Sequence, residues 1–178
     1  MGYSPDHSRR IRARILDCAR RLFKEEGVEA VTVDKVMAEA GLTRGGFYAH
    51  FKSKDELFAE ALAETPVFDL FRRHDGADWT RRVIEEYLGP LHRDRPGKGC
   101  PLAAHASSIA RASPPARHNF TATVRSLADE LARRLGSDEA ALTCLVLMVG
   151  GVVLARAVDD PELSAALLDA CRRRAIVS

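Results

Sequence analysis

Hydrophobic residues recur at helical spacing along most of the chain, and no segment makes a convincing strand. The first helix is predicted from Ser8 to Glu26, with an apolar stripe made of Ile11, Ile15, Cys18, Ala19, Leu22 and Phe23. Gly27 is predicted to end it, and residues 1–7 are expected to be a disordered lead-in. Similar patterns farther along predict about nine helices, so the expected fold class is all-α.

Two short helices are predicted to meet at a glycine within residues 31–54. Thr32 is placed to cap the first, whose apolar face contains Val33, Val36, Met37 and Ala40. Gly41 can adopt the left-handed conformation that ends a helix, and Thr43 is placed to cap a second helix from Arg44 to about His50. This is the helix-turn-helix pattern, although a plain helical hairpin in a bundle has the same pattern.

The second of these helices has two distinct sides. Phe47 and Phe51 are four residues apart, so they share one face and are predicted to be buried. Arg44, Tyr48 and His50 are left to point elsewhere, together with Gly45. A helix-turn-helix protein places such a second helix in the DNA major groove.

Residues 9–60 resemble the DNA-binding domain of the TetR/AcrR family of transcriptional regulators. The resemblance depends on an aromatic-Tyr-x-His-aromatic run, then Lys-x-Lys and an acidic-Leu pair, here FYAHFKSKDEL at 47–57. It implies a three-helix helix-turn-helix DNA-binding domain at 1–55. It also implies a helical domain at 56–178 that binds an effector and forms a dimer.

The resemblance also implies roles for single residues. Thr43, Arg44 and Gly46 match positions that contact base edges, and Thr32, Tyr48, His50 and Lys54 match positions that contact phosphates. Arg44 is the strongest candidate for base readout, because its guanidinium can engage guanine O6 and N7 together. Gly45 and Gly46 would let the helix approach the groove closely, but they remove two side chains that could read sequence.

The later helices are predicted from caps and breakers. Ser53, Asp78, Ser113, Ser137 and Asp160 stand where N-caps are expected, and Pro66 is expected to interrupt the chain. Proline follows two of these caps, as Pro114 and Pro161, which suits the first helical position. Residues 89–101 are rich in Gly and Pro and are predicted to be a loop.

The stretch Ala140–Ala155 is almost wholly apolar, so both of its sides must be covered. At sixteen residues it is too short for a bilayer span, which needs about 20. Either this helix and the last one fill the monomer core, or they pair with a second copy, as the family resemblance implies. The residues predicted for a homodimer interface are Leu147, Gly150, Gly151, Leu154, Leu163, Ala166, Leu167 and Ala170.

The net charge of +2 says little about partners, but its distribution says more. Between Arg9 and Lys24 there are seven basic residues and one acid, Asp17, next to the predicted helix-turn-helix. Such a run is either a solvated helix face or a phosphate-facing one. The family resemblance, with this run beside the helix-turn-helix, implies double-stranded DNA with a palindromic operator as the partner.

The sequence contains no motif that indicates an enzyme or a metal-binding protein. No catalytic constellation, phosphate loop, metal-ligand spacing or cofactor signature is present, so we expect neither an enzyme nor a metal site. The four cysteines form no CxxC pair, and no signal peptide is apparent, so a cytoplasmic protein with free thiols is expected.

A small-molecule effector is expected from the family resemblance. Its candidate lining residues are large or polar-capable side chains on the middle helices: Phe68, Phe71, Trp79, Tyr87, Cys100, His105 and Phe120. Cys100 lies beside Lys98 at a predicted helix start, and both features favour a thiolate. Two alternatives to a ligand-responsive repressor stay open: a repressor that senses oxidants or electrophiles through Cys100, and a DNA-binding protein with no effector.

Overall fold

The computed structural model describes residues 5–63 and 67–177, and within those ranges it contains ten α-helices, two short 3₁₀ helices and no strand. The all-α prediction is confirmed, with one more α-helix than expected. Pro66 lies outside the described residues, as does the start of the predicted lead-in.

The first four elements form the helix-turn-helix half of the molecule. They are α1 (Pro5–Glu26), α2 (Val33–Glu39), a 3₁₀ helix called here the recognition helix (Arg44–Ala49), and α3 (Lys54–Ala61). The first helix begins at Pro5 rather than Ser8, so part of the predicted lead-in is helical.

The remaining helices form the body. They are α4 (Val67–Arg73), α5 (Trp79–Tyr87), α6 (Pro90–Asp94), a 3₁₀ turn (Pro96–Lys98), α7 (Pro101–Ile109), α8 (Pro114–Leu135), α9 (Asp138–Ala157) and α10 (Pro161–Val177). The prediction of a loop over 89–101 is wrong in part, because α6 and the 3₁₀ turn both lie within it. Proline at the first position starts each of these two elements.

Several predicted N-caps are present as hydrogen bonds. The Thr32 hydroxyl accepts from the Lys35 N–H at 3.2 Å, and the Ser53 hydroxyl accepts from the Glu56 N–H at 3.1 Å. Ser137 and Asp160 accept in the same way at the starts of α9 and α10. Thr43, Asp78 and Ser113 also occupy the predicted N-cap positions, but their side chains make no cap hydrogen bond.

Two hydrophobic cores hold the fold. The first joins α1, α2, the recognition helix and α3, with Ile15, Phe23, Val36, Phe47, Phe51 and Leu57 fully or almost fully buried. The second joins α4, α5 and α7–α10, with Val83, Ile84, Leu88, Leu131, Cys144 and Val152 likewise buried. The DNA-binding half and the body therefore each have an apolar centre of their own.

Helix α3 connects the two halves, and α8 fixes its last turn. The Asn119 side-chain amide donates to the Ala59 carbonyl at 2.8 Å, and the Thr123 hydroxyl donates to the Leu62 carbonyl at 3.1 Å. These bonds satisfy carbonyl groups that a helix end leaves unpaired. The two bonds therefore attach α8 of the body to the helix that carries the helix-turn-helix half.

Candidate nucleic-acid interface and effector cavities

The recognition helix rests on a rigid aromatic base. Phe47 and Phe51 are buried, with ring centroids 5.8 Å apart and planes 28° apart. Because these two rings face inward, Thr43, Arg44, Gly45 and Tyr48 face outward, and Tyr48 is 62% exposed. The segment therefore presents one polar edge to solvent, as a groove-reading element requires.

Gly45 and Gly46 leave part of the recognition helix without side chains. A Cβ built at Gly45 would meet no atom within 4 Å, and one at Gly46 would meet only Met37, at an ordinary contact distance of 3.6 Å. The protein's own packing therefore does not require glycine at either position. Two consecutive residues without side chains suit close approach to a nucleic-acid backbone.

The Arg44 side chain is paired but accessible. Its guanidinium lies 2.9 Å from the Asp34 carboxylate, and both side chains are more than half exposed. An exposed pair of this kind contributes about 0–1 kcal/mol. Arg44 can therefore exchange Asp34 for a base edge at little cost.

The structure gives Lys54 a role besides the predicted phosphate contact. Its Nζ donates to the carbonyl oxygens of Val28 at 2.9 Å and Val31 at 3.1 Å, so it ties the start of α3 to the turn between α1 and α2. Two of the three N–H donors of the ammonium are therefore used within the protein, and one is left for the predicted phosphate contact. Lys52, two residues earlier, is exposed.

We expect substitutions at these two lysines to separate stability from DNA affinity. Lys54→Met should lower the free energy of unfolding by about 2 kcal/mol, because it removes two charge-assisted hydrogen bonds. Lys52→Met should leave stability unchanged. It should reduce the slope of log affinity against log salt concentration by about 1, the amount expected for one lost phosphate contact. Urea denaturation and affinity measured at several salt concentrations check the pair. Equal stability of the two variants would contradict the assignment of Lys54.

The known proteins that this chain resembles in sequence are transcription regulators. A family model described as "Bacterial regulatory proteins, tetR family" matches residues 15–61. The HTH-type transcriptional repressor Rv1474c of Mycobacterium tuberculosis is 30% identical over 185 residues, and the match covers 93% of each chain. This chain belongs to the TetR family. It is a DNA-binding transcription regulator, and its relatives are regulators rather than enzymes.

Two further similarities differ in how much of the chain they cover. The HTH-type transcriptional regulator AcrR of Shigella flexneri is 43% identical over 61 residues, which is 33% of this chain and 28% of that relative. A TetR transcriptional regulator from Chloroflexus aurantiacus has the same fold, with a TM-score of 0.76 at 23% identity over 97% of this chain and 95% of that one. The family model thus matches the helix-turn-helix half, while the similarity of fold extends over nearly the whole chain.

Two cavities in this TetR-family body contain four of the seven predicted effector residues. The junction cavity, of about 490 Å³, lies between α1, α4 and α7 and is lined by Phe68 and His105. The body cavity, of about 400 Å³, lies between α4, α5, α6 and the segment 95–100 and is lined by Tyr87 and Cys100. Both volumes are in the range of small-molecule sites.

The other three predicted residues line neither cavity. Trp79 is buried in the body core, where its Nε1–H donates to the Phe71 carbonyl at 2.9 Å and its ring contacts that of Phe71. Phe120 is half-buried against both hydrophobic cores. These predictions are corrected, since helical spacing does not distinguish a cavity wall from a packed core.

The surroundings of Cys100 oppose the thiolate that Lys98 and the helix start would favour. Burial raises the pKa of its thiol, although Tyr87, the Leu102 and Ala103 N–H groups at the start of α7 and Lys24 all act in the opposite direction. Desolvation opposes the charged form more strongly than these dipoles and the ammonium favour it. The pKa shift therefore favours the neutral thiol at Cys100.

Two histidines beside the cavities are held neutral. His92 Nδ1 bonds the Tyr87 carbonyl at 2.7 Å, and its Nε2 accepts from the Cys100 N–H at 3.0 Å. The pKa of His92 is lowered to about 4, mainly by burial and also by nearby Arg156 and Lys24, while the bond to the Tyr87 carbonyl acts in the opposite direction. Burial also lowers the pKa of His105 to about 4. His92 was not predicted from the sequence, because nothing in its local pattern distinguishes it.

These pKa values predict acid sensitivity. An unfolded histidine titrates near 6.5, so between pH 6.5 and 4 the unfolded chain binds more protons than the folded one. The free energy of unfolding should therefore fall as pH drops through that window, by up to about 3 kcal/mol for each histidine. In urea denaturation between pH 7.5 and 4.5, the free energy of unfolding of His105→Leu should fall less steeply with decreasing pH than that of the unsubstituted protein. His118→Leu, at an exposed position, is the control, and a full slope in His105→Leu would contradict the prediction.

The predicted dimer residues of α9 and α10 include some on the exposed side of each helix and some on the side that faces the body. Gly150, Leu154, Leu163, Ala166 and Ala170 are exposed or partly exposed. Leu147 and Leu167 are half-buried. Gly151 is corrected, because it is buried where a Cβ would meet Leu88 and Cys171 of the same chain. It permits close packing within the body.

Sequence reasoning missed two residues of the uncovered side of α9. Leu142 is 53% exposed and Val146 is 69% exposed, alongside Leu154 at 53% and Leu163 of α10 at 46%. We call these four leucine and valine residues the apolar face. The four-residue spacing of 142, 146, 150 and 154 was the available signal.

Proposed function

We propose that this TetR-family protein is a homodimeric repressor that binds a palindromic operator through Arg44–His50 and is released by a small-molecule effector bound in its body. The observation that carries the proposal is the outward polar edge of the recognition helix over the buried Phe47–Phe51 base. Arg44 supplies the forked donor for guanine, and Tyr48 and the Thr43 hydroxyl flank it. Thr32 and His50 lie beside this edge, where phosphates would be.

The apolar face supports a dimer. Helix α9 is long and apolar enough to cross a membrane by length and composition alone, yet it lies between α8 and α10 in the body with only part of its surface covered. Contiguous exposed apolar residues on a water-soluble helix pair are typical of a protein interface. A second copy placing its own α9 and α10 against them would cover both sets in a four-helix arrangement.

A dimer makes the operator symmetric. Because the two copies would be related by a twofold axis, their recognition helices would read the same bases on opposite strands. A single short recognition helix contacts few base pairs, so two of them are needed for useful specificity. The two half-sites should be separated by one or more helical turns.

The two cavities support an effector. The junction cavity has walls from α1 in the DNA-binding half and from α4 and α7 in the body, so its occupant would touch both halves. A ligand that favours one arrangement of the halves shifts the population of that arrangement. These cavities favour a ligand-responsive regulator over a DNA-binding protein with a sealed body.

Selection from a random duplex pool, followed by sedimentation of the protein with the enriched duplex, tests the proposal. We expect the enriched sequences to share an inverted repeat and the complex to contain an even number of protein chains. An enriched asymmetric site bound by one chain would contradict the dimer. Failure to enrich any sequence over random DNA would contradict operator recognition itself.

A further inference from the structure

The body cavity contains a buried polar group that the protein leaves without a good partner. Tyr87 lines the cavity and is 3% exposed, and its hydroxyl makes no hydrogen bond among the described residues. The Cys100 thiol lies close enough to interact with this hydroxyl but is only a weak acceptor. The ring of His92 cannot serve, because both of its nitrogens bond backbone groups. A buried hydroxyl in this state favours a bound acceptor.

The rim of the cavity carries an excess of positive charge. Its two carboxylates are occupied: Asp69 pairs with Arg72, and Glu86 pairs with Arg73 and His74. The cations Arg95 and Lys98 also line the cavity and are exposed, and their side chains have no ion-pair or hydrogen-bond partner among the described residues. Two uncompensated cations at a cavity mouth attract an anion.

The lining of the body cavity also includes apolar side chains. Val67 and Leu70 of α4 and Leu91 of α6 contribute side chains there, and Leu91 is 67% exposed. A purely polar anion such as inorganic phosphate would leave these surfaces uncovered. The lining favours a ligand whose charged group is attached to a hydrophobic body.

We propose that the body cavity binds a small carboxylate with a hydrophobic body, with the carboxylate at Arg95 and Lys98 and the body against Val67, Leu70 and Leu91. This inference rests on the proposed function, because it names the chemical class of the effector. The Tyr87 hydroxyl is the donor for any acceptor atom at the inner end of the ligand.

The segment 95–100 links this site to the DNA-binding half. It forms one wall of the body cavity, and on its other side the Lys24 ammonium of α1 donates to the Gly99 carbonyl at 3.2 Å. The segment also lies close to the Glu25 side chain of α1, which a Cβ at Gly97 would meet, and to the His92 ring, which would lie 2.7 Å from a Cβ at Gly99. We therefore expect a ligand that displaces this wall to act on the end of α1.

Calorimetric titration of the full-length protein without DNA tests the ligand class. The probes are 2-naphthoate and octanoate, each compared with its neutral primary amide of the same shape. We expect at least one acid to bind about tenfold or more tightly than its amide, since a hydrogen bond to a charged group contributes about 1.5–3 kcal/mol. If neither acid binds, or if both acids bind no better than their amides, the proposal is overturned.

Charge-removing variants locate the site. Arg95→Gln with Lys98→Gln should abolish the preference of the acid over the amide. Arg81→Gln with Arg82→Gln, at exposed positions of α5 outside the cavity lining, makes the same change in net charge and should keep the preference. Circular dichroism and the urea midpoint verify that both double variants are folded. Loss of the preference in the control, or its survival in the cavity variant, counts against this site.

Operator affinity measured in parallel separates this inference from the proposed function. Saturating acid should weaken operator binding by about 5–150-fold, the usual range of allosteric coupling. Lys24→Met should leave acid binding unchanged and reduce that coupling. Acid binding without any effect on operator affinity would overturn the effector assignment. Operator binding by a protein that shows no acid preference would overturn only the ligand class and leave the DNA-binding proposal standing.

Discussion

Val146→Glu should convert the dimer to a monomer and remove most of the operator affinity. Val146 is 69% exposed in the single chain, at the centre of the apolar face, so the variant should fold. In a dimer the new carboxylate would be buried without a partner, which costs about 3 kcal/mol or more. The dimer dissociation constant should therefore rise more than a hundredfold. Sedimentation equilibrium and operator titration measure the two effects.

The control for this substitution places the same charge elsewhere. Ala122→Glu, on the exposed side of α8, should leave the dimer and the operator affinity unchanged. Urea denaturation of both variants tests whether their single chains are equally stable. A fully dimeric Val146→Glu protein would show that the apolar face is not the interface.

Arg44→Ala should lower operator affinity by about 1–3 kcal/mol and leave binding to random DNA largely intact. The expected loss comes from the bidentate contact with one guanine in each half-site. The exposed pair with Asp34 contributes at most about 1 kcal/mol in the free protein, so stability should change little. The affinities for the selected operator and for a scrambled duplex, measured at one salt concentration, give the ratio of specific to non-specific binding.

Arg125→Ala is the matched control, because it removes an exposed arginine from α8 in the body. It should change neither affinity. A loss of equal size on operator and scrambled DNA for Arg44→Ala would assign Arg44 to phosphate contact. The recognition helix would then specify sequence through other groups.

Local chemistry explains which predictions from the sequence are confirmed. Thr32, Ser53 and Ser137 cap helices through bonds to N–H groups three residues away, so the neighbouring sequence already contains both partners. Gly41 adopts φ +64° in the turn after α2. This conformation is a local requirement of the turn, and glycine adopts it without strain. The burial of Phe47 and Phe51 follows in the same way from their spacing.

The sequence did not predict features that depend on residues far away in the chain. Lys54 follows a helix start in the sequence, but its partners are carbonyl groups 23 and 26 residues earlier. Cys100 has Lys98 and a helix start beside it, yet burial under other elements sets the direction of its pKa. The spacing of Gly151 allowed either side of α9, and contact with Leu88 and Cys171 decided which.

The sequence by itself determined the helical fold and the position of the helix-turn-helix, because helical periodicity, caps and the aromatic pair at 47 and 51 act over a few residues. It also determined that α9 needed cover on every side. Only the tertiary structure decided which side the protein leaves uncovered, where the two cavities lie and that Tyr87 and two cations share one of them. Those features arise where residues far apart in the chain meet, and burial, rather than neighbouring sequence, sets their charge and their available partners.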